Sequence, residues 1–401
     1  MIKIASQQQM KQTNARTVFQ LIHENRNLSR AKIAQMTNLS RTTISAIVEQ
    51  LMERGMVIET APLEGNGAGR KAISLEVNPS NKHVIGVELG VEKISGTVFN
   101  LRNEPVHSET IRLAERDDIG ESIRAVIDRL RDAVKHRFDE LMGICVGVPG
   151  LLDSDKKTIL MSTLLNIENV NLYETIAKGQ DVPVYLEDGT VLAATAERVW
   201  MGNADSPFIY LSIDEGLGAS VIMDNQHIQG VNKVMLEIGH MSLDMNGDLC
   251  KCGNRGCFEL YVSTLALAKK VKQAILDEPA SLLGRIMGED GKKAVEIALL
   301  EAANAGDETA CRIISEVAAV LGNGIVNLIH IFNPQMIVIG GRLSTLGTRL
   351  LGGVEEQIAD RAIRSFSKNC SIRLRYNNDN AVVFGACHYA LGQVLDSYFA
   401  E

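Results

Sequence analysis

Leu236–Tyr261 reads LEIGHMSLDMNGDLCKCGNRGCFELY, a denser concentration of ligand chemistry than any other part of the chain. It sets His240 beside Cys250, Cys252 and Cys257, three of the seven cysteines. Thiolate and imidazole suit tetrahedral zinc, and four such ligands leave no position for water, which describes a closed structural Zn(2+) site. Gly253 and Gly256 bracket the ligands and permit the chain reversal that a short Cys-to-Cys loop needs. Cys250-Lys251-Cys252 is closer than the common two-residue knuckle, so the site has a geometry of its own. The alternative is three cysteines buried in a core or joined as disulfides. The other four, Cys145, Cys311, Cys370 and Cys387, stand singly in apolar surroundings and read as core packing. Neither a signal peptide nor a long uncharged apolar run is expected, which places the protein in a reducing cytoplasm, away from membranes. There, clustered cysteines more often hold metal than disulfides.

Around this stretch, 401 residues with 45% hydrophobic composition can bury sizeable cores and divide into two or three domains. The net charge of -8 is unevenly spread. Residues 1–78 carry ten Lys/Arg against six Glu, a net +4, which leaves -12 for the remainder. A coat of nucleic-acid-binding surface is excluded; one basic module on an acidic body is not.

The basic head reads as three helices. Ala15, Val18, Phe19, Leu21 and Ile22 have amphipathic spacing within Asn14–Asn25, and Ser29 is a natural N-cap for SRAKIAQMT. After the Asn38-Leu39 turn, Ser40 caps RTTISAIVEQLMERG, whose Ile44, Ile47, Val48, Leu51 and Met52 face inward. Two helices across a short turn fit a helix-turn-helix, the second presenting Ser40, Arg41, Thr42, Thr43 and Ser45 to a major groove. Strands at Met56–Ile58 and Ala72–Val77, joined by PLEGNGAGRK, make a wing tipped with Arg70 and Lys71 for phosphate or a narrow minor groove. A helical protein-interaction module is the competing reading. Such heads bind double-stranded DNA in pairs, so a homodimer or dimer of dimers on a roughly palindromic operator is expected.

Beyond Asn78-Pro79-Ser80 the body alternates strands and helices. HVIGVELG and VEKISGTVFNLR read as a hairpin, Ile119 to about Phe138 as a helix, and LMGICVGVPG as a buried strand. VPVYLED and the helix Val191–Met201 follow, then PFIYLSIDEGLGASVIMD as a second hairpin. Helices dominate after Tyr261, at Thr264–Ile275, Lys292–Ala303 and Glu308–Ile331, before PQMIVIGG, SIRLRYN and a last helix from Ala381. Strand pairs with crossover helices occur twice, which predicts two similar α/β lobes with a ligand cleft between them.

These segments carry a resemblance. Glu237-Ile238-Gly239-His240 and the Cys-x-Cys-Gly-x-x-Gly-Cys-x-Glu run at 250–259 resemble the ROK family, bacterial sugar kinases and sugar-responsive repressors sharing an actin-like, sugar-kinase fold. The likeness covers nearly the whole chain, and the head with its metal loop is most similar to the xylose-repressor group. It implies a winged helix-turn-helix at 1–78 and a first lobe at 79–202, to which helix 381–400 returns. The second lobe, with the zinc site, is implied at 203–380. It also implies metal ligands at His240, Cys250, Cys252 and Cys257, and carbohydrate contacts at Glu237, His240 and Glu259.

Three departures bear on activity. Kinase members of the family resemble Asn-Asp-Ala-Asn after the strand, with Asp as the base; here Asp188-Gly189-Thr190-Val191 stands there. Gly189 has nothing to accept a proton, while Asp188 can still accept from a hydroxyl. Carboxylates at Glu92, Asp214 and Glu215 in the matching phosphate loops repel ATP unless a cation intervenes. Thr163-Leu164 and Ile167 replace the family's Pro-Asn and aromatic in the sugar loop. The expectation is a non-enzymatic, DNA-binding repressor of carbohydrate genes, xylose metabolism among them, released by a sugar derivative. An effector-independent regulator and a residual sugar kinase are the alternatives.

Overall fold

The structure is a computed structural model and describes residues 7–25, 27–62, 73–114, 118–202, 207–224, 226–232, 234–288, 293–376 and 380–398. In the head, α1 (Gln7–Glu24) buries Ala15, Val18, Phe19 and Ile22. Ser29 accepts from Lys32 N–H at the start of α2 (Arg30–Thr37), and Asn38 ends it with φ +56°. Ser40 accepts from Thr43 N–H at 3.0 Å to start α3 (Arg41–Glu53), which turns Ile44, Ile47, Val48 and Leu51 inward. β1 (Val57–Pro62) pairs antiparallel with β2 (Ile73–Val77), so the first wing strand runs four residues further than the sequence reading. The loop between them, with Arg70 and Lys71, lies outside the described residues.

The first body sheet has the order β10-β6-β3-β4-β5. β3 (Lys82–Leu89), β4 (Lys93–Asn100) and β5 (Pro105–Arg112) form an antiparallel meander; β6 (Glu140–Val148) and β10 (Val184–Asp188) run parallel to β3. α4 (Ile119–Val134) covers one face with Ile123, Val126, Ile127 and Leu130. It ends four residues before the expected Phe138. Between β6 and β10 lie α5 (Leu172–Ala177) and a small antiparallel sheet of β7 (Leu151–Leu152), β8 (Thr158–Ser162) and β9 (Ile167–Asn171), which the sequence reading did not anticipate.

After α6 (Gly189–Trp200) the second sheet repeats that plan as β13-β12-β11-β14-β15. β11 (Phe208–Ile213) and β12 (Leu217–Met223) are antiparallel, β13 (Gln226–His227) adds an edge, and β14 (Met336–Gly340) and β15 (Ser371–Leu374) run parallel to β11. Its helices are α7 (Glu259–Val262), α8 (Thr264–Asp277), α9 (Leu282–Met287), α10 (Val295–Asn304), α11 (Glu308–Phe332), α12 (Thr348–Arg361) and α13 (Arg364–Ser367). Among the described helices α11 alone is long and apolar enough to cross a membrane. It is a core helix here, burying Ile313, Val317, Leu321 and Ile325 against the second sheet and α12.

The last helix, α14 (Ala381–Tyr398), returns to the first sheet, packing on β3, β6 and α6. Its Val383, Cys387 and Leu391 belong to one continuous apolar cluster with Phe19, Ile22 and Leu51 of the head, Val84 and Phe99 of the sheet, and Leu101 in the turn after β4. Polar ties reinforce the seam: Arg102 pairs with Glu76 and donates from Nε to Val77 O at 2.9 Å. The head is therefore welded to the body through side chains from all of these elements.

Candidate functional site

The 240–257 loop brings one ligand atom from each of His240, Cys250, Cys252 and Cys257 to within 4.8 Å of one another. Cys252 Sγ and Cys257 Sγ are 3.6 Å apart, and Cys250 Sγ is 3.7 Å from His240 Nδ1. Ligands about 2.3 Å from a tetrahedral centre stand about 3.8 Å from each other, so these spacings fit a four-coordinate metal. The chain reaches this geometry through Gly256, at φ +61°, where a Cβ would lie 1.8 Å from Asp244 O, and through Gly253 at φ +92°. The Cys250 N–H donates to Asn254 O at 2.7 Å, and Asn254 Nδ2 donates to His240 O at 3.1 Å. Burial pushes the Cys250 thiol up to about 12 and the Cys257 thiol upward, protons that a bound cation displaces. Cys145 and Cys387 are fully enclosed, as expected of packing residues, whereas Cys311 and Cys370 are only half-buried.

Asp188 lies across from this loop, at the carboxyl end of parallel strand β10, where α/β folds gather ligands. Its Oδ1 caps α6, accepting from Thr190 N–H at 2.8 Å and Val191 N–H at 3.1 Å. Burial, aided by Glu187 and Glu237, pushes its carboxyl up to about 7. Asp188 and Glu237 line the same small cavity, about 20 Å³ in volume, together with Asp153, Lys156, Glu187 and Met235. Glu259 sits one step away. Its Oε1 is 3.3 Å from Cys250 Sγ and 3.6 Å from His240 Nδ1, which links cleft and metal loop. The structure thus brings Asp188, Glu237, His240 and Glu259 to one place.

Sequence reasoning missed two cleft residues, Lys156 and Glu187, which form an ion pair with both side chains largely enclosed. Glu187 had a signal, since it directly precedes Asp188; Lys156, in a turn between short strands, had none. It also missed Lys251, whose Nζ crosses the cleft to Thr163 O at 3.4 Å.

The phosphate-loop positions differ from the sequence reading. Asp214 and Glu215 are not bare carboxylates. Arg342 donates its backbone N–H to Asp214 Oδ1 at 2.7 Å, pairs with Glu215 at 2.8 Å, and pairs with buried Glu296 at 2.9 Å. The intervening cation is the protein's own. The glycines of this loop pack closely on their neighbours: a Cβ on Gly216 would meet Glu259 Oε2 at 3.2 Å, and one on Gly218 would meet Thr190 Oγ1 at 2.2 Å. At Gly189 there is space, the nearest atoms to a Cβ being 3.7 Å or more away, so no crowding dictates the glycine.

At the head, Arg41 and Thr42 are exposed on the first turn of α3, and Ser45 is half-buried. Ser40 and Thr43 are already engaged. The Ser40 hydroxyl caps Thr43 N–H and lies 2.7–2.8 Å from the Thr42 and Thr43 hydroxyls. Arg30 fixes the angle between helices by pairing with Glu49 on α3 at 3.3 Å and Glu59 on β1 at 3.0 Å.

Comparison with known proteins bears on both parts. The family model "Winged helix-turn-helix DNA-binding" matches residues 13–58, and the model "ROK family" matches residues 84–393. The xylose repressor of Caldicellulosiruptor bescii is 31% identical over 395 residues, 96% of this chain and 97% of its own. The crystal structure of a ROK family transcriptional regulator, homolog of the E. coli MLC protein, superposes with a TM-score of 0.82 at 25% identity, covering 98% of this chain and 99% of that one. A ROK family glucokinase from Streptomyces griseus, solved with glucose and AMPPNP, shares the fold of the body alone, with a TM-score of 0.68 at 24% identity over 77% of this chain and 99% of its own. With a duplicated two-lobed body, a four-ligand loop at its cleft and a match spanning 84–393, this chain belongs to the ROK family.

Proposed function

We propose that this protein is a DNA-binding transcriptional repressor of carbohydrate-related genes, xylose metabolism among them. The observation that carries the reading is the full-length likeness to a xylose repressor, head included. Arg41, Thr42 and Ser45 then meet the operator, with Ser40 and Thr43 holding the first turn of α3 in place and Arg70 and Lys71 as further contacts to the DNA backbone. Two heads, supplied by a homodimer or a dimer of dimers, read a roughly palindromic site. The protein works in the cytoplasm. His240, Cys250, Cys252 and Cys257 hold one structural Zn(2+), which braces the second-lobe wall of the cleft. Catalysis is not part of the function, because Gly189 supplies no base and Arg342 with its carboxylates occupies the phosphate loop.

Asp188, Glu237, His240 and Glu259 form the effector site. A sugar can release DNA only by binding one arrangement of the heads better than the other. The route from cleft to head is short: Asp188 caps α6, α6 packs on α14, and α14 packs on α1. A second reading, a regulator without effector, is favoured by Lys251, whose Nζ donates to Thr163 O across the cleft.

Gel shifts with DNA from upstream of the gene test the proposal. Arg41→Ala is expected to weaken binding by about 1–3 kcal/mol, roughly 5- to 150-fold. A protein that retains no sequence from a genomic DNA selection overturns it.

A further inference from the structure

We propose that Ala46 reads a thymine in each half-site of the operator, packing its methyl group on the 5-methyl group of that base. The inference rests on the head binding duplex DNA, as proposed above; what it adds is a base and the residue that selects it. α3 buries Ile44, Ile47, Val48 and Leu51 on one side. At about 3.6 residues per turn the row opposite them is Thr42, Ala46, Glu49 and Glu53, and all four are exposed. This row is the part of the helix that a major groove can receive, because the other side is occupied by the core.

Charge divides the row. Glu49 and Glu53 stand in its C-terminal half, where carboxylates oppose the approach of phosphates. Glu49 is also engaged by Arg30, which it meets at 3.3 Å. Entry is therefore confined to the first two turns, where recognition helices make their base contacts. Two outward residues remain there. Thr42 is tied to the cap, its hydroxyl 2.7 Å from Ser40 Oγ. Ala46 ends in a methyl group, with no side-chain atom to donate or accept. In the major groove the apolar group that a base presents is the thymine 5-methyl, and alanine is among the side chains that pack on it. A short side chain at this place also lets the helix backbone come close to the bases, with Arg41 and Ser45 on its flank. An exposed alanine has one other explanation, its helix propensity, and the two differ in what they ask of the DNA.

The test uses the full-length protein and a duplex that it retains from genomic DNA, each thymine replaced in turn by deoxyuridine, which lacks only the 5-methyl group. Affinities are read by fluorescence anisotropy at a fixed ionic strength of about 0.15 M. At one thymine in a half-site the replacement is expected to weaken binding about fourfold, the contribution of one buried methyl group. In Ala46→Ser that penalty should disappear. Thr42→Ser, which loses a methyl group and keeps its hydroxyl, should retain it. The readout is a ratio of two duplexes on the same protein, so a change in a variant's stability does not enter it. A penalty that persists in Ala46→Ser, or that also vanishes in Thr42→Ser, overturns the assignment. A retained duplex on which no thymine shows a penalty does the same, and each of these outcomes leaves DNA binding standing. Retention of no genomic DNA overturns both.

Discussion

Asp188 caps a helix and lines a cleft with one carboxyl group, and the two roles pull its proton in opposite directions. The capping N–H groups favour the ionised form, whereas enclosure beside Glu187 and Glu237 favours the neutral one and prevails, moving the group from 3.8 to about 7. Between those values the unfolded chain has lost the proton that the folded chain retains, so folding takes up a proton and stability falls as pH rises through the window. Asp188→Asn removes the charge and keeps the cap. Urea melts should show it more stable than the parent by about 2–4 kcal/mol near pH 8, with the difference shrinking toward nothing near pH 4. An offset that is the same at both pH values would mean that the carboxyl does not carry this strain. The metal quartet offers a second residue-scale test. Cys257→Ser should lose bound zinc, measured by atomic emission, and lower the melting temperature, while chelation of the parent should reproduce that loss. Full metal content in the variant would remove Cys257 from the ligand set.

At the scale of elements, α6 begins at the position where this chain departs from the kinase motif. Its first residue, Gly189, has open space around it, so Gly189→Asp should be tolerated within about 1 kcal/mol, the range of helix N-terminal charge effects. No ATP consumption with glucose should appear, because Arg342 still occupies the loop after β11; measurable turnover would show that the glycine alone had silenced catalysis. The elements also mark what the sequence could disclose. The three head helices were legible because Ser29 and Ser40 precede apolar periodicity and do cap α2 and α3. The cluster of His240, Cys250, Cys252 and Cys257 was legible because the four residues fall within 18 consecutive positions. By contrast, β8 and β9 carry mixed burial on five residues each, too little for an alternating pattern to stand out. β5 was missed as an edge strand whose polar and half-buried positions interleave. Arg342 escaped notice for another reason: its partner Asp214 is 128 residues away, and no local pattern reports a pairing at that distance.

Across the whole molecule, the apolar cluster that joins α1, α3, β3, β4 and α14 makes head and body one cooperative body. Leu391, 3% exposed on α14, lies within it. Leu391→Ala should cost about 2–4 kcal/mol, and calorimetry should show a single transition displaced to lower temperature. Two separated transitions would mean that the head melts independently and that the seam contributes little. His23 and His388 also face each other there, ring centroids 6.5 Å apart, with burial holding the pKa of His388 down to about 4. That seam constrains anyone who would recombine these proteins. A chimera grafting this head onto a foreign regulator would split the cluster that Phe19 and Leu51 share with Cys387 and Leu391 and leave an oily scar on both halves. Operator specificity is transplantable here only if the recipient's last helix is rewritten along with the first 78 residues.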